Sequence, residues 1–158
     1  MKNAIVLLLF LLVAEYSYAQ NGVSEKSSSH NLTVVSNYFE FLFKRGDFVS
    51  LEKLILKEAV YLQAEGLPYG GTYKGFKEWM EMFKKVPMYF DLQLVGNPIL
   101  HSDSQNKSVA ASFTIKFKSK KSGKEFTMPI MELFELKDGK IMRVQPFYFD
   151  TKKINDLM

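Results

Sequence analysis

The spacing of apolar residues predicts helices in the first half of the chain and strands in the second. Apolar residues recur every three or four positions from Leu32 to Phe43, and a narrower stripe of the same period runs from Phe48 to Ile55. Both patterns indicate helices. Gly46 suits the left-handed position that ends a helix, and Asp47 suits the N-cap of the next one. The chain is therefore predicted to start with two helices joined by a tight turn.

A short strand, a glycine-rich loop and a third helix are predicted next. Residues 59–63 form the strand, and the helix extends from about Phe76 to Val86, where Pro87 stops it. The loop, EGLPYGGTYKG (residues 65–75), lacks the lysine followed by serine or threonine of a phosphate-binding loop. It is also not expected to join paired strands. We place it as the connection to the third helix, at the rim of the domain.

After Pro87 the apolar residues alternate with a period of two, which predicts strands. Four strands are expected, at Tyr89–Val95, Val109–Phe117, Phe126–Leu136 and Lys140–Phe149. Asp138-Gly139 is a strong hairpin signal between the last two. Three helices followed by a four-stranded meander predict an α+β domain in which the helices cover the apolar face of the sheet.

The N-terminus has the pattern of a cleavable signal peptide. A positive start precedes an apolar run at residues 5–14, and Ser17 and Ala19 are the small residues that a cleavage site requires. We expect a signal peptide at residues 1–19 with cleavage after Ala19, a flexible lead-in at 20–30 and one domain at 31–158. The protein is then secreted or periplasmic, with no stable membrane insertion after cleavage; an uncleaved anchor is the alternative.

Composition limits the chemistry of the domain. The chain has no cysteine, so no disulfide stabilises it and no structural zinc site is expected. His30 and His101 lie in separate polar segments, and we expect neither a metal site nor a cofactor. The net charge of +4 is too small to indicate a nucleic-acid-binding protein.

Three segments in register carry a family resemblance: VVSNYFEFLFKRGDFVSLEKLI (34–55), GLPYGGTYKGFKEW (66–79) and FELKDGKIMRVQPFYFD (134–150). The chain resembles the nuclear transport factor 2-like superfamily, in particular the SnoaL-like group that includes ketosteroid isomerases and polyketide cyclases. The resemblance implies a cone-shaped α+β barrel, with three N-terminal helices on a curved, mainly antiparallel sheet around an apolar pocket. It also implies a homodimer formed through the outer face of the sheet.

The resemblance also suggests catalytic residues. Tyr38 matches the tyrosine that donates to the oxyanion in ketosteroid isomerases. The position of their general base is occupied by Gln63, which cannot accept a proton from carbon, and the second acid matches Met131 or Glu132. Asp150 follows the Tyr148-Phe149 pair as an acid does in the cyclases, although an aspartate there is also a natural N-cap for a terminal helix.

Glu132 stands out without the resemblance, because it occupies an apolar phase of its predicted strand. A desolvated glutamate has a raised pKa and can exchange protons near neutral pH. The alternative is a bulge near Pro129 that turns Glu132 outward. Arg143 is in phase with Ile141 and could offer a polar partner, or it could simply be exposed.

Further residues are candidates for the wall of a pocket. Each could equally belong to the core or the surface. The set comprises Gln63, Tyr69, Tyr73, Trp79, Phe83, Arg143 and Phe147.

Two functions remain open from the sequence. The first is an isomerase- or cyclase-type enzyme without a cofactor, acting on a small apolar carbonyl compound, in which Tyr38 polarises the oxygen and Asp150 or Glu132 moves the proton. The second is a non-catalytic module of the same fold that binds a small apolar ligand or a protein, which the glutamine at position 63 favours.

Overall fold

The computed structural model describes residues 30–105 and 107–158, which form four helices and six strands. The predicted signal peptide and all but the last residue of the predicted lead-in lie outside the described residues. No helix in these two ranges is long and apolar enough to span a bilayer.

The first two helices are joined as the sequence predicts. Helix α1 is α-helical over residues 30–39 and continues as a π-helix over Glu40–Arg45. Gly46 follows with a φ of 60°, and the Asp47 side chain accepts a 3.0 Å hydrogen bond from the backbone N–H of Ser50. Helix α2, Phe48–Lys53, is shorter than predicted, because the chain enters strand β1 already at residue 55.

The structure corrects the predicted bounds of the first strand, residues 59–63, which begins four residues earlier, and the predicted role of the glycine-rich loop. Strand β1 spans Ile55–Gln63 and pairs antiparallel with a four-residue strand β2, Gly71–Lys74. The loop therefore does join paired strands, and the prediction that it does not was wrong. Strand β2 escaped prediction because four residues are too few to show an alternation of apolar and polar positions. Gly70 closes the loop tightly, since a Cβ at this position would lie 2.3 Å from the Ala64 carbonyl oxygen.

Helix α3, Gly75–Tyr89, continues past the proline that was expected to stop it. Pro87 lies in the last turn. Its missing N–H removes one backbone hydrogen bond at the end of the helix, where the last carbonyls already have no helical donor. The backbone N–H of Phe90 still bonds to the Val86 carbonyl and closes the helix. The main chain then continues directly into strand β3.

The second half of the chain forms the predicted meander. Its strands are β3 (Phe90–Ser102), β4 (Ser108–Ser119), β5 (Glu125–Lys137) and β6 (Lys140–Tyr148). The order in the sheet is β2-β1-β6-β5-β4-β3, antiparallel throughout except for the parallel β1–β6 pair. The sheet is open at β2 and β3, so the fold is α+β with a six-stranded mixed sheet rather than a closed barrel. A short helix α4, Thr151–Asn155, follows β6.

A bulge in β6 changes which residues face the helices. Ile141 pairs with Leu136, but the next register pair is Arg143 with Glu135, so Met142 is an extra residue in β6. Ile141 is therefore followed by Val144 as the next buried residue of the strand. The predicted common phase of Ile141 and Arg143 was wrong, because a bulge inverts the alternation beyond it.

Candidate functional site

A cavity of about 380 Å³ lies between the inner face of the sheet and helices α1 to α3. Most of its wall is aromatic or aliphatic. The polar residues in the wall are Tyr61, Gln63, Tyr69, Asp91, Glu132 and Tyr148. A ligand in this space would meet an apolar wall with a few polar groups.

Glu132 is a carboxylic acid buried in the cavity wall, with 6% of its surface exposed. Strands β4 and β5 keep one continuous register, and β5–β6 pairing starts at Ile130, just after Pro129. The proline is thus tolerated without a bulge, and Glu132 keeps the inward phase of its apolar neighbours. Burial raises its pKa to about 7, and the hydrogen bond from Tyr61 acts in the opposite direction.

Tyr61 is the partner of this carboxylate. Its hydroxyl donates a 2.8 Å hydrogen bond to Oε1 of Glu132, while Oε2 of Glu132 is buried without a hydrogen-bond partner among the described residues. Trp79 and Phe83 hold the Tyr61 ring edge-to-face, at centroid distances of 5.3 and 5.8 Å. Tyr61 is not among the site residues predicted from the sequence, although it alternates with Ala59 and Gln63 in β1.

Tyr38 lies outside the cavity wall and is completely buried. Its ring packs edge-on against Phe134 at 5.0 Å and Phe39 at 5.5 Å. Burial and then the nearby Glu132 charge raise the pKa of its hydroxyl, whereas the Tyr61 hydroxyl acts to lower it. The two hydroxyls are therefore neighbours, yet that of Tyr38 makes no well-formed hydrogen bond with any described residue.

Gln63 and Tyr148 line both this cavity and a second one of about 440 Å³ outside the ends of β1 and β6. Oε1 of Gln63 accepts a 3.0 Å hydrogen bond from the Ala64 N–H. Burial raises the pKa of Tyr148, and the negative charges that Tyr69 and Glu132 carry when ionised raise it further. Hydrogen bonding to the Gln63 side chain offsets part of this rise. The Tyr148 hydroxyl consequently stays protonated.

The tyrosines of the glycine-rich loop have different positions. Tyr69 is buried and lines the cavity. Tyr73 lies outside the cavity wall, and its hydroxyl donates to the carbonyls of Tyr69 at 2.9 Å and Gly70 at 3.2 Å. The Trp79 indole N–H donates to the Tyr73 carbonyl at 3.1 Å. Tyr73 and Trp79 thus fix the loop, and Tyr69 and Phe83 contribute to the wall.

Three other candidates are not part of the cavity wall that contains Glu132. Asp150 caps helix α4 by accepting a 2.9 Å hydrogen bond from the Lys153 N–H, and it does not line the cavity. Arg143 forms a 2.9 Å ion pair with Glu135. Phe147 is 49% exposed and belongs to the second cavity.

The described residues contain no group of three or more acidic, histidine or cysteine side chains placed to hold a metal ion. The site brings together one carboxylic acid and several tyrosines in a largely apolar space. Such a set can bind a polar atom of an otherwise apolar molecule and can move a proton.

Comparison with known proteins agrees with this fold. The family model of the SnoaL-like domain matches residues 35–144. A nuclear transport factor 2-like protein from Burkholderia xenovorans LB400 superposes with a TM-score of 0.72 at 16% identity, covering 82% of this chain and 95% of that one. A search of curated protein sequences found no match.

Two further solved structures are similar. A candidate polyketide cyclase from Xanthomonas campestris pv. campestris has a TM-score of 0.70 at 17% identity, covering 84% of this chain and 99% of that one. TerC, crystallised with polyporic acid, has a TM-score of 0.70 at 19% identity, covering 81% and 97%. Identities this low support a shared fold and not a shared reaction.

Proposed function

The chain belongs to the SnoaL-like domain family, and from this premise we propose that it is an enzyme of the isomerase or cyclase type. Its substrate is a small apolar carbonyl compound bound in the cavity, and Glu132 carries the proton. The observation behind the proposal is the buried Glu132 carboxyl group in the cavity wall, with one oxygen bonded to Tyr61 and the other unpartnered.

The unpartnered oxygen of Glu132 is the proposed proton acceptor. It removes a proton from a carbon next to the substrate carbonyl, and the C–H electron pair forms a carbon–carbon double bond while the carbonyl π electrons move to oxygen. The enolate then takes the proton back at another carbon, so no oxidant or reductant is consumed. A pKa of about 7 suits both steps, because an acid–base group works best when its pKa is near the ambient pH.

Tyrosine hydroxyls are the proposed donors to the developing oxyanion. Tyr148 lines the cavity and remains protonated, since burial keeps its pKa well above the usual value. A neutral donor in an apolar site stabilises an oxyanion strongly because little water competes with it. Tyr38 acts as a positioning residue next to Tyr61, since it does not itself line the cavity.

Asp150 is not part of this proposal. Its carboxylate is engaged at the start of α4 and lies outside the cavity wall. Of the two candidate carboxylates, Glu132 is therefore the proposed catalytic one. Gln63 is proposed to orient Tyr148 and not to act as a base.

Solvent-deuterium exchange into an enolisable bicyclic ketone, 2-tetralone, tests the proposal. We expect catalysed exchange by the wild type and a loss of roughly a hundredfold or more in Glu132→Gln, the usual contribution of a general base. Glu135→Gln is the matched control, because Glu135 is in the same strand but is paired with Arg143. Binding of the ketone without exchange would identify a binding module, and equal exchange in Glu132→Gln would contradict the role of Glu132.

A further inference from the structure

Exposed apolar side chains border the mouth of the cavity. Phe48 and Leu92 line the cavity and are 39% and 38% exposed. Val49 and Met88 directly follow the lining residues Phe48 and Pro87 in the chain and are 69% and 70% exposed. We call these four residues the mouth patch. Phe48 and Leu92 meet in one cavity lining although they belong to different elements, and contiguous exposed apolar surface marks an interaction site.

Lysines of the β4–β5 hairpin lie beside the mouth patch. Lys120 forms an ion pair with Asp91, which lines the cavity, and its backbone N–H donates to the Tyr89 carbonyl at 2.8 Å. The Cα partner of Asp91 in the sheet is Lys118. Residues 116–125 contain five lysines and one glutamate. Lys118 and Lys121 are exposed, so the hairpin presents net positive charge next to the cavity mouth.

We propose that the mouth patch and the hairpin lysines dock the protein on an anionic lipid bilayer. Exposed apolar side chains next to clustered lysines are the combination that binds a membrane interface, since the former enter the headgroup region and the latter are attracted to anionic lipids. Docking would place the cavity opening against the bilayer, where apolar compounds concentrate. The passage of a ligand from bilayer to cavity rests on the proposed function, whereas docking itself does not.

A second copy of the chain is a poorer occupant of this surface. A two-fold contact would bring two hairpins of like charge together, and like charges repel at such short range. The excess of lysine over acidic residues in the hairpin complements a negatively charged surface instead. An anionic bilayer supplies this charge together with an apolar interior for the mouth patch.

Cosedimentation with vesicles tests the proposal. We expect binding to vesicles of phosphatidylserine and phosphatidylcholine at low salt, and loss of this binding at high salt or on pure phosphatidylcholine. Met88→Glu and the double variant Lys118→Glu/Lys121→Glu should each weaken binding by about tenfold or more. The matched controls are Ile99→Glu, also at an exposed apolar position, and Lys137→Glu/Lys140→Glu at the β5–β6 turn, at the opposite end of the sheet. Both controls should bind like the wild type.

Three outcomes would overturn docking. The first is no binding to the anionic vesicles at low salt, and the second is equal weakening in the control variants, which would indicate attraction by net charge alone. The third is lipid-free self-association that Met88→Glu abolishes, which would assign the surface to a second copy. Glu132→Gln should bind vesicles like the wild type, so failure of docking and failure of the proposed catalysis can be told apart.

Discussion

The hydroxyl of Tyr61 in β1 donates a 2.8 Å hydrogen bond to Glu132 in β5, across 71 positions of the chain. This pair connects the only buried carboxylate among the described residues to the aromatic wall of the cavity. The bond favours the charged form of Glu132 while burial favours the neutral form, and burial dominates. The acid is thereby set to change its charge near neutral pH.

Removing the hydroxyl of Tyr61 should change the pH dependence of the proposed catalysis. In Tyr61→Phe the charged carboxylate loses its hydrogen bond, so the pKa of Glu132 should rise and the rising limb of the pH–rate profile should move to higher pH. A hydrogen bond to a charged group contributes about 1.5–3 kcal/mol, so exchange at neutral pH should fall roughly tenfold or more. The measurement is kcat/KM for ketone exchange against pH. A uniform loss at every pH would point instead to a structural role for Tyr61.

Glu132→Gln should make the protein more stable above neutral pH. The folded state holds its proton up to about pH 7, but the unfolded chain releases it near pH 4.5. Stability therefore falls as the pH rises through this window, by about 3 kcal/mol in total, and remains lower above it. The glutamine variant lacks this decline. Urea unfolding at pH 5 and pH 8 measures this decline in the free energy of unfolding. An equal decline in the wild type and in Glu132→Gln would contradict the burial cost assigned to the Glu132 carboxylate.

Asp150→Ala should reduce stability without reducing catalysis. The Asp150 carboxylate caps helix α4, and loss of an N-cap costs about 1 kcal/mol. Asp150→Ser retains a capping oxygen and should recover most of this loss. Thermal unfolding and ketone exchange are measured on both variants. Abolished exchange in a folded Asp150→Ser protein would return Asp150 to the list of catalytic residues.

The outer face of the sheet is expected to form a homodimer. Met131 and Phe147 are Cα partners in β5 and β6, and they are 50% and 49% exposed on that face. Met131→Glu should give a monomer in light-scattering measurements, because it would place two like charges in an apolar contact. Ile99→Glu, on edge strand β3, should leave the dimer intact. A monomeric wild type at micromolar concentrations would refute the prediction.

Export of the protein should remove its first 19 residues. Signal peptidases require small residues at the cleavage site, and Ser17 and Ala19 meet this requirement. Intact mass and N-terminal sequencing of the exported protein should show Gln20 as the first residue. Ala19→Arg should leave the precursor uncut. An exported wild-type protein that begins at Met1 would support the uncleaved anchor instead.

The sequence by itself determined the features that depend on near neighbours. The left-handed Gly46, the caps at Asp47 and Asp150, and the turn at Asp138-Gly139 all follow from side-chain and backbone preferences over a few residues. The order of helices and strands is also readable, because apolar residues must face one core and their period reports the backbone conformation. The inward position of Glu132 can likewise be predicted from the alternation of apolar residues along its strand.

Only the tertiary structure decided which of these residues meet in the wall of one cavity. The four-residue strand β2 and the bulge in β6 depend on pairing with distant strands. The bulge places Arg143 opposite Glu135, with which it forms an ion pair, and not in the cavity wall. The partner and the pKa of Glu132 likewise depend on Tyr61 and on desolvation by the whole core. Local pattern sets a residue's face, whereas its partner and its electrostatic environment come from chain segments that only folding brings together.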